Sequence, residues 1–397
     1  ANNFLAGINI HAPGAVMITG SKDYASVHDN LVSIIVTSPG NITISNIGAS
    51  DNVLGFLLMN SGTTGNVTLK NISGSSEVVG FDIDTQGSVS LTNVFWYGAD
   101  FGALIDNHST LLRPVTLTNC SFNSTGVVAL DVTSSGAITL KMVNAYHGSE
   151  AGIDLDNTSG TAGVSVTGGE LDGLASDEGS GLKIRTNGAI IVTGLWIEDF
   201  DGNGMDLDNF TSTLLTKPGI TVKSSTVQDV SATAVMVVTK GAILIDSVGV
   251  DEANAGLFLA NNGGTANVTI QGKTFLDEIT TNGIEVVSNG SLLINGAQVS
   301  YARWGLWLFN HPGAVIINNS SFTNSETSGA YIRMTGQGKA LTITRSSFMD
   351  NLGYGVDAQT VGPVLLNAVK ADRNGASGVY VSNQQAAVPA PVVISNS

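Results

Sequence analysis

The sequence is poor in charge, in cysteine and in long apolar runs. Only 12% of its 397 residues are charged, and an excess of Asp and Glu gives a net charge of −16. Its basic residues never cluster, so we expect neither nucleic acid nor an anionic membrane as a partner. The single Cys120 excludes an intramolecular disulfide, and no apolar run is long enough for a membrane span. Abundant Thr, Ser and Asn with so little Cys are typical of an extracellular or cell-surface protein.

A helical period is missing as well. No segment keeps its apolar residues 3.6 positions apart, so we expect almost no helix. A strand repeat takes its place, and it is clearest in residues 305–320, Gly-Leu-Trp-Leu-Phe-Asn-His-Pro-Gly-Ala-Val-Ile-Ile-Asn-Asn-Ser. An alternating strand with Leu306 and Leu308 inside leads through a Pro-Gly turn to a second strand with Val315 and Ile317 inside.

This pattern recurs from end to end, in about sixteen units of roughly 22 to 30 residues. The units begin near Gly7, Ser33, Gly55, Gly80, Gly102, Ala129, Gly152, Gly181, Gly204, Ala234, Gly256, Gly283, Gly305, Gly329, Gly355 and Gly378. One unit cannot bury its own apolar side, whereas stacked units can. Strands that recur in one direction without hairpin signals must pair in parallel. The repeat therefore predicts one all-β solenoid domain over residues 1–397.

The organisation resembles the right-handed parallel β-helix family, the pectate-lyase-like superfamily, over the whole chain. The resemblance implies a right-handed parallel β-helix of about sixteen rungs, with essentially no helix and with uncapped ends. Stacked Val, Ile and Leu would fill its interior. The fold by itself brings no function. We interpret the chain as a non-catalytic, adhesin-like surface member of this family.

Outward positions of the first strand predict a structural charge ladder. Read from unit to unit, opposite charges alternate at rung spacing, which supports the alignment because stacked like charges would repel. The ladder comprises two columns, Asp154, Lys183 and Asp206, and Asp156, Arg185 and Asp208.

An enzyme is the first alternative, because many β-helix proteins are polysaccharide lyases or hydrolases and glycosidases need two facing carboxylates. The best candidates are three Asp-x-Asp pairs, Asp82/Asp84, Asp154/Asp156 and Asp206/Asp208. No histidine lies in the Gly-His-Gly element of polygalacturonases, and Lys183-Ile184-Arg185 only reverses their Arg-Ile-Lys element. We therefore assign no catalytic residue and do not expect an enzyme, the alternative being a polysaccharide lyase or glycoside hydrolase.

Oxygen ligands suited to calcium recur on adjacent rungs, in Asp82, Asp84, Asp106 and Asp131. The chain lacks the Gly-Gly-x-Gly-x-Asp repeat of calcium-binding β-rolls and any EF-hand loop. We therefore expect no cofactor and no metal site, with adventitious calcium as the open alternative.

Large apolar side chains recur at outward positions later in the chain. They comprise Met236, Phe258, Trp307, Phe309, Tyr331 and Tyr380. This aromatic stripe would serve as a platform for sugars or as a lateral protein contact, unless a connecting segment covers it. All three interpretations stay open at this stage.

The two ends of the sequence fit each other. Residues 394–397 followed by residues 1–7 make nearly one ordinary connection between units. Either the chain is a section of a giant surface β-helix, or copies stack head to tail into a filament through Ile8, Ile10, Val392, Val393 and Ile394. We expect an extracellular structural protein whose partners are copies of itself and surface glycans. The alternative is a carbohydrate-binding or carbohydrate-cleaving secreted protein.

Overall fold

The computed structural model describes residues 5–21, 25–60, 64–107, 110–173, 179–214 and 216–397. Every regular element in these residues is a β-strand, and they contain no helix, as predicted. None of them lies in a helix long and apolar enough to span a membrane. The chain forms two compact units, Ala1–Gly202 and Asn203–Ser397.

The first unit is built from short strands and from long strands that run around several corners. Its strands are β1 Ala6–His11, β2 Val16–Thr19, β3 Ala25–His28, β4 Val32–Thr37, β5 Ile42–Asn60, β6 Val67–Thr85, β7 Val89–Asn107, β8 Val115–Ser134, β9 Ile138–Tyr146, β10 Ala151–Asn157, β11 Val164–Thr167, β12 Glu170–Asp172, β13 Ser180–Thr186, β14 Ile190–Thr193 and β15 Trp196–Phe200.

The second unit repeats the same coil. Its strands are β16 Met205–Asp208, β17 Ile220–Lys223, β18 Thr226–Val238, β19 Ile243–Asp246, β20 Gly249–Asn261, β21 Val268–Gln271, β22 Phe275–Ser288, β23 Leu292–Asn295, β24 Gln298–Ser300, β25 Ala302–His311, β26 Val315–Asn318, β27 Ser321–Thr323, β28 Ser328–Met334, β29 Leu341–Thr344, β30 Ser347–Met349, β31 Val356–Gln359, β32 Val364–Asn367, β33 Lys370–Asp372, β34 Val379–Ser382 and β35 Val392–Ser395.

Each coil has three faces, and within each unit the strands of the described residues pair in parallel with their equivalents in neighbouring coils. We call the face that contains β10 the first face, the face of β11 the second and the face of β12 the third. Strand β10 pairs with β8 and β13, β11 with β9 and β14, and β12 with β9 and β15. About fifteen turns result, close to the sixteen units predicted from the sequence.

The register on the first face is the one that the alternation predicts. In the first unit Leu104, Asp131, Asp154 and Lys183 are successive partners. In the second unit Met236 is opposite Phe258, and Trp307 is opposite Tyr331. Period-2 alternation fixes the register because a slip of one residue would turn the aliphatic side chains out of the core.

Residues in the left-handed conformation form the corner between the second and third faces. In four successive coils this residue is an asparagine, at Asn46, Asn71, Asn93 and Asn119, with φ between 53° and 56°. Asparagine tolerates this conformation better than other side chains with a Cβ. The amides of the last three, Asn71, Asn93 and Asn119, also donate a hydrogen bond of 2.8–2.9 Å to the asparagine of the preceding coil. These asparagines therefore turn the chain and join neighbouring coils.

Candidate functional site

Six carboxylates lie on the first face of the first unit, and we call them the acidic patch. They are Asp82, Asp84, Asp106, Asp131, Asp154 and Asp156. They project outwards because they alternate with buried aliphatic residues, for example Ile153 and Leu155 in β10. Parallel pairing then stacks them at the rung spacing of about 4.8 Å. The parallel ladder therefore concentrates like charges on one face of the coil.

Asp131 has the most perturbed carboxyl group in the patch. Burial is the main cause, and together with the negative charge of the neighbouring Asp154 it raises the pKa of Asp131 to about 6. Lys183 opposes the shift. A carboxyl group with this pKa is partly protonated near neutral pH, so it can donate a proton to a bound molecule.

Asp154 occupies the next rung and is ion-paired. Lys183 Nζ lies 2.5 Å from Asp154 Oδ2, and both side chains are partly buried. In the adjacent column Asp156 Oδ1 accepts hydrogen bonds from the backbone amide and the hydroxyl of Thr158, at 2.7 and 2.6 Å. Asp131 and Asp154 thus have different environments. Burial favours the protonated form of Asp131, whereas Asp154 is paired with the ammonium group of Lys183.

The residues of the predicted charge ladder are divided between the two units. Asp154 is the register partner of Lys183, and Asp156 is the register partner of Arg185. In the second unit Asp206 is buried, and Asp208 Oδ1 accepts a hydrogen bond from the amide of Phe210 at 2.7 Å. A structural role for these six residues stays a prediction. Sequence reasoning named Asp131 only as an oxygen donor for calcium and missed its pKa, because burial and the charge of Asp154 cause that shift.

Five members of the aromatic stripe follow one column of the second unit, in which Glu285 and Asp357 interrupt it, and Phe309 lies two residues beyond Trp307. The ring planes of Trp307 and Tyr331 are stacked, with centroids 4.4 Å apart and an interplanar angle of 10°. The Arg333 guanidinium lies 3.8 Å from the Tyr331 ring centroid. The faces of the Trp307 and Tyr331 rings that make these contacts are not open to a sugar.

The remaining members of the stripe differ in exposure. Phe309 and Tyr380 are exposed, whereas Met236 and Phe258 are half-buried. No connecting segment hides Phe309 or Tyr380. A lateral contact or a ligand at the stripe stays a prediction.

The residues predicted to join copies end to end lie on β1 and β35. Ile8 and Ile10 are half-buried in β1. In β35, Val392, Val393 and Ile394 are exposed, and this strand pairs with β32. End-to-end assembly through them stays a prediction.

The described ranges contain no arranged set of metal ligands. Within them, no group of three or more His, Cys, Asp or Glu side chains is placed to hold a metal ion. Cys120 is buried, and burial raises the pKa of its thiol to about 11. Such a thiol is a poor nucleophile at neutral pH, because the thiolate is the reactive form.

Comparison with known proteins gives a family and one distant structural match. A family model described as the right handed beta helix region matches residues 101–299 and 282–397. No curated protein matches the chain. The catalytic unit of a thermostable GH87 alpha-1,3-glucanase from Streptomyces thermodiastaticus strain HF3-3 aligns with 95% of this chain, at 14% identity and a TM-score of 0.29. The chain spans 66% of the length of that structure.

These findings correct one expectation and confirm another. The prediction that the chain is not an enzyme is corrected, because the β-helix family shown by the family model does not imply the non-catalytic status that we assigned. The resemblance drawn from the sixteen units is confirmed, since the family model covers well over half of the sequence. The chain belongs to the right-handed β-helix family.

Proposed function

We propose that this chain is a secreted carbohydrate-active protein that binds a polysaccharide on the acidic patch and hydrolyses it there. One observation carries the proposal. Asp131, whose pKa is raised to about 6, lies on the rung beside Asp154, which is ion-paired with Lys183. A pair of neighbouring carboxyl groups held in unlike protonation states is the requirement of glycoside hydrolysis.

The roles follow from the two environments. Asp131, as the protonated member, donates its proton to the glycosidic oxygen as that bond breaks. Asp154, as the ionised member, attacks the anomeric carbon from the other side of the ring. Water then cleaves the glycosyl–Asp154 bond, and Asp131 takes back a proton from that water. No cofactor is required.

The proposed roles make the stereochemistry predictable. Asp131 and Asp154 are register partners on adjacent strands, and adjacent strands lie about 4.8 Å apart. Retaining glycosidases hold their carboxyl groups about 5–5.5 Å apart, whereas inverting ones need about 6.5–9.5 Å for a water molecule. The strand spacing is a backbone distance, so the expectation of retention follows from the nucleophilic role given to Asp154, and proton NMR of the first-formed anomer checks it.

The decisive experiment measures reducing ends released from a panel of soluble polysaccharides. The wild type should release them from at least one polymer, and Asp131→Asn should lower the rate about 100-fold or more, because a general acid contributes this much. Asp51→Asn, which changes an exposed aspartate outside the patch, is the matched control and should stay active. Absence of cleavage of every polymer, or full activity in Asp131→Asn, would overturn the proposal.

The rate should also depend on pH in one direction. Because Asp131 must carry its proton, kcat/KM should fall as the pH rises above about 6. A profile that keeps rising towards pH 8 would contradict the role of Asp131 as the acid.

A further inference from the structure

A groove of about 600 Å³ crosses the first unit at the corner between the second and third faces. We call it the glycine groove. It is lined by Met142, Asn144, Gly168, Gly169, Glu170, Gly194, Trp196 and Glu198. It lies on a different part of the coil from the acidic patch, which occupies the first face.

The groove exists because side chains are missing from the corner. In earlier coils the left-handed corner residue is an asparagine, such as Asn93 and Asn119, whereas two successive coils here have Gly168 and Gly194, with φ of 63° and 67°. A Cβ added to Gly194 would meet only one backbone atom, 4.0 Å away. At Gly168 an added Cβ would meet Met142 Sδ at 2.5 Å, so the methionine thioether takes part of the space there, and the corner is open beside Gly194.

Two large apolar side chains border this space and are exposed to solvent. Trp196 is 43% exposed and Met142 is 60% exposed. Ligand sites are commonly lined by aromatic side chains such as this indole. Its flat apolar face matches the C–H face of a pyranose ring.

The polar groups of the groove are hydrogen-bond acceptors held in place. The Tyr146 hydroxyl donates to Glu170 Oε2 at 3.3 Å and accepts from the Asn144 amide, also at 3.3 Å. Asn144 Oδ1 in turn accepts the backbone N–H of Glu170 at 3.0 Å. Glu198 is the second carboxylate of the lining. Carboxylates are hydrogen-bond acceptors, so both can accept from sugar hydroxyl groups.

The charge of the glycine groove indicates which class of polymer it binds. Glu170 and Glu198 line the groove, and the negative charges of Glu198 and Asp199 contribute, after burial, to a raised pKa of the adjacent Asp172. The lining contains no Lys or Arg. An acidic groove repels uronate, sulfate and phosphate groups and accepts uncharged sugars.

We propose that the glycine groove is an anchoring subsite for a neutral polysaccharide, with a sugar ring stacked on Trp196 and its hydroxyls bound by Glu170 and Glu198. The inference rests on the proposed function only in taking a polysaccharide as the ligand. Binding here does not require cleavage at Asp131.

The test therefore uses the Asp131→Asn protein, in which binding is separated from hydrolysis. Affinity electrophoresis in gels containing dextran, xylan, galactomannan or polygalacturonate gives the dissociation constants. At least one neutral polymer should retard the protein, and polygalacturonate should not. Trp196→Ala should weaken binding about tenfold or more, which is about 1.4 kcal/mol.

A second variant fills the groove without removing the tryptophan. Gly194→Asn restores the residue that earlier coils use at this left-handed position, so the fold should tolerate it while the asparagine side chain occupies the cavity. It too should weaken binding. Tyr97→Ala, an exposed aromatic residue of the third face, is the matched control and should bind as the parent does.

The outcomes separate the two proposals. Undiminished binding by both Trp196→Ala and Gly194→Asn, preference for polygalacturonate, or retardation by no polymer would each overturn the subsite. Binding that needs Trp196, in a protein whose wild type cleaves nothing, would uphold the subsite and overturn the proposed hydrolysis.

Discussion

At the scale of single residues, Asp131 and His311 are ionisable groups held where one protonation state is costly. Burial raises the pKa of Asp131 and lowers that of His311. The two shifts act on stability at different pH, because folding favours the protonated form of Asp131 and the neutral form of His311. Each gives a prediction with a definite sign.

Replacing Asp131 should stabilise the protein at neutral pH. Its folded pKa of about 6 lies above the usual 3.8, so the folded state holds a proton that the unfolded state has lost, and stability falls as the pH rises through this window. The shift has an upper limit of about 3 kcal/mol. Because Asp131 is partly exposed, screening should reduce the effect to about 1 kcal/mol.

The measurement is thermal or urea unfolding at several pH values between about 4 and 7. Asp131→Asn should unfold at higher temperature than the wild type at pH 7 and lose this difference near pH 4. Asp84→Asn, with an exposed carboxylate, should change little. A variant that loses both activity and stability would count against the assignment, because a strained functional group costs stability in its active form.

His311 should make the protein sensitive to acid. It is 1% exposed, and burial lowers its pKa below 6.5 against the opposing effect of the backbone at Ala314 and Ser288. Below pH 6.5 the unfolded chain takes a proton that the folded chain refuses, so stability should fall by at most about 1.4 kcal/mol per pH unit. Asn261, in an earlier coil, shows that an asparagine fits among the buried polar residues.

Unfolding of His311→Asn between about pH 5 and pH 7 checks this. The variant should show a smaller acid-dependent loss than the wild type, whereas His11→Asn, which removes an exposed imidazole, should behave as the wild type does. Equal acid sensitivity in all three proteins would show that other groups control it.

At the scale of elements, glycines, which lack a Cβ, leave room for aromatic side chains in the core. Trp96 is fully buried, packs against Phe81 with ring centroids 4.8 Å apart, and donates its indole N–H to Ser76 Oγ at 3.0 Å. A Cβ at Gly80 would lie 2.3 Å from the carbonyl oxygen of Gly102 and 2.5 Å from Trp96 Cδ1. The indole and the parallel ladder together require glycine there.

Gly80→Ala should therefore destabilise the first unit by about 1–3 kcal/mol, the usual cost of overpacking, because a backbone carbonyl cannot move aside. Urea unfolding followed by tryptophan fluorescence gives the change. Gly14→Ala is the matched control, since a Cβ there meets nothing within 4 Å. Equal stability of the two variants would contradict this account of Trp96 packing.

Elements also show what the sequence could and could not predict. Alternation along each strand predicted the coils and the register, including Asp154 opposite Lys183. It could not predict the bulge near Asn310, where a φ of 54° brings His311 inside. One inserted residue barely changes the types of residue in a strand, so the sequence does not mark its position.

The functional groups were harder to predict than the fold. The pKa of Asp131 depends on burial and on charges from other coils, and the glycine groove depends on glycines falling at the same corner of successive coils. A signal for the groove was present, since Gly168 and Gly194 replace the asparagines of the repeat, and each precedes an outward carboxylate or indole by two residues.

At the scale of the whole molecule, the net charge of −16 governs how copies meet. Like-charged molecules repel at distances up to the Debye length, which falls from about 30 Å at 0.01 M salt to about 3 Å at 1 M. Apolar contacts persist at high salt, and Val392, Val393 and Ile394 are exposed on β35. The predicted head-to-tail assembly should therefore be favoured by salt.

Sedimentation velocity at about 0.01 M and about 1 M NaCl tests this prediction. If strands of neighbouring copies pair through β35, larger species should form at high salt, and Val393→Lys should prevent them because a charge would be buried at the junction. Val388→Lys is the matched control, being 73% exposed and outside any strand. A single monomeric species at both salt concentrations, or equal association of the two variants, would remove end-to-end stacking and leave polysaccharide binding as the sole proposed use of this β-helix.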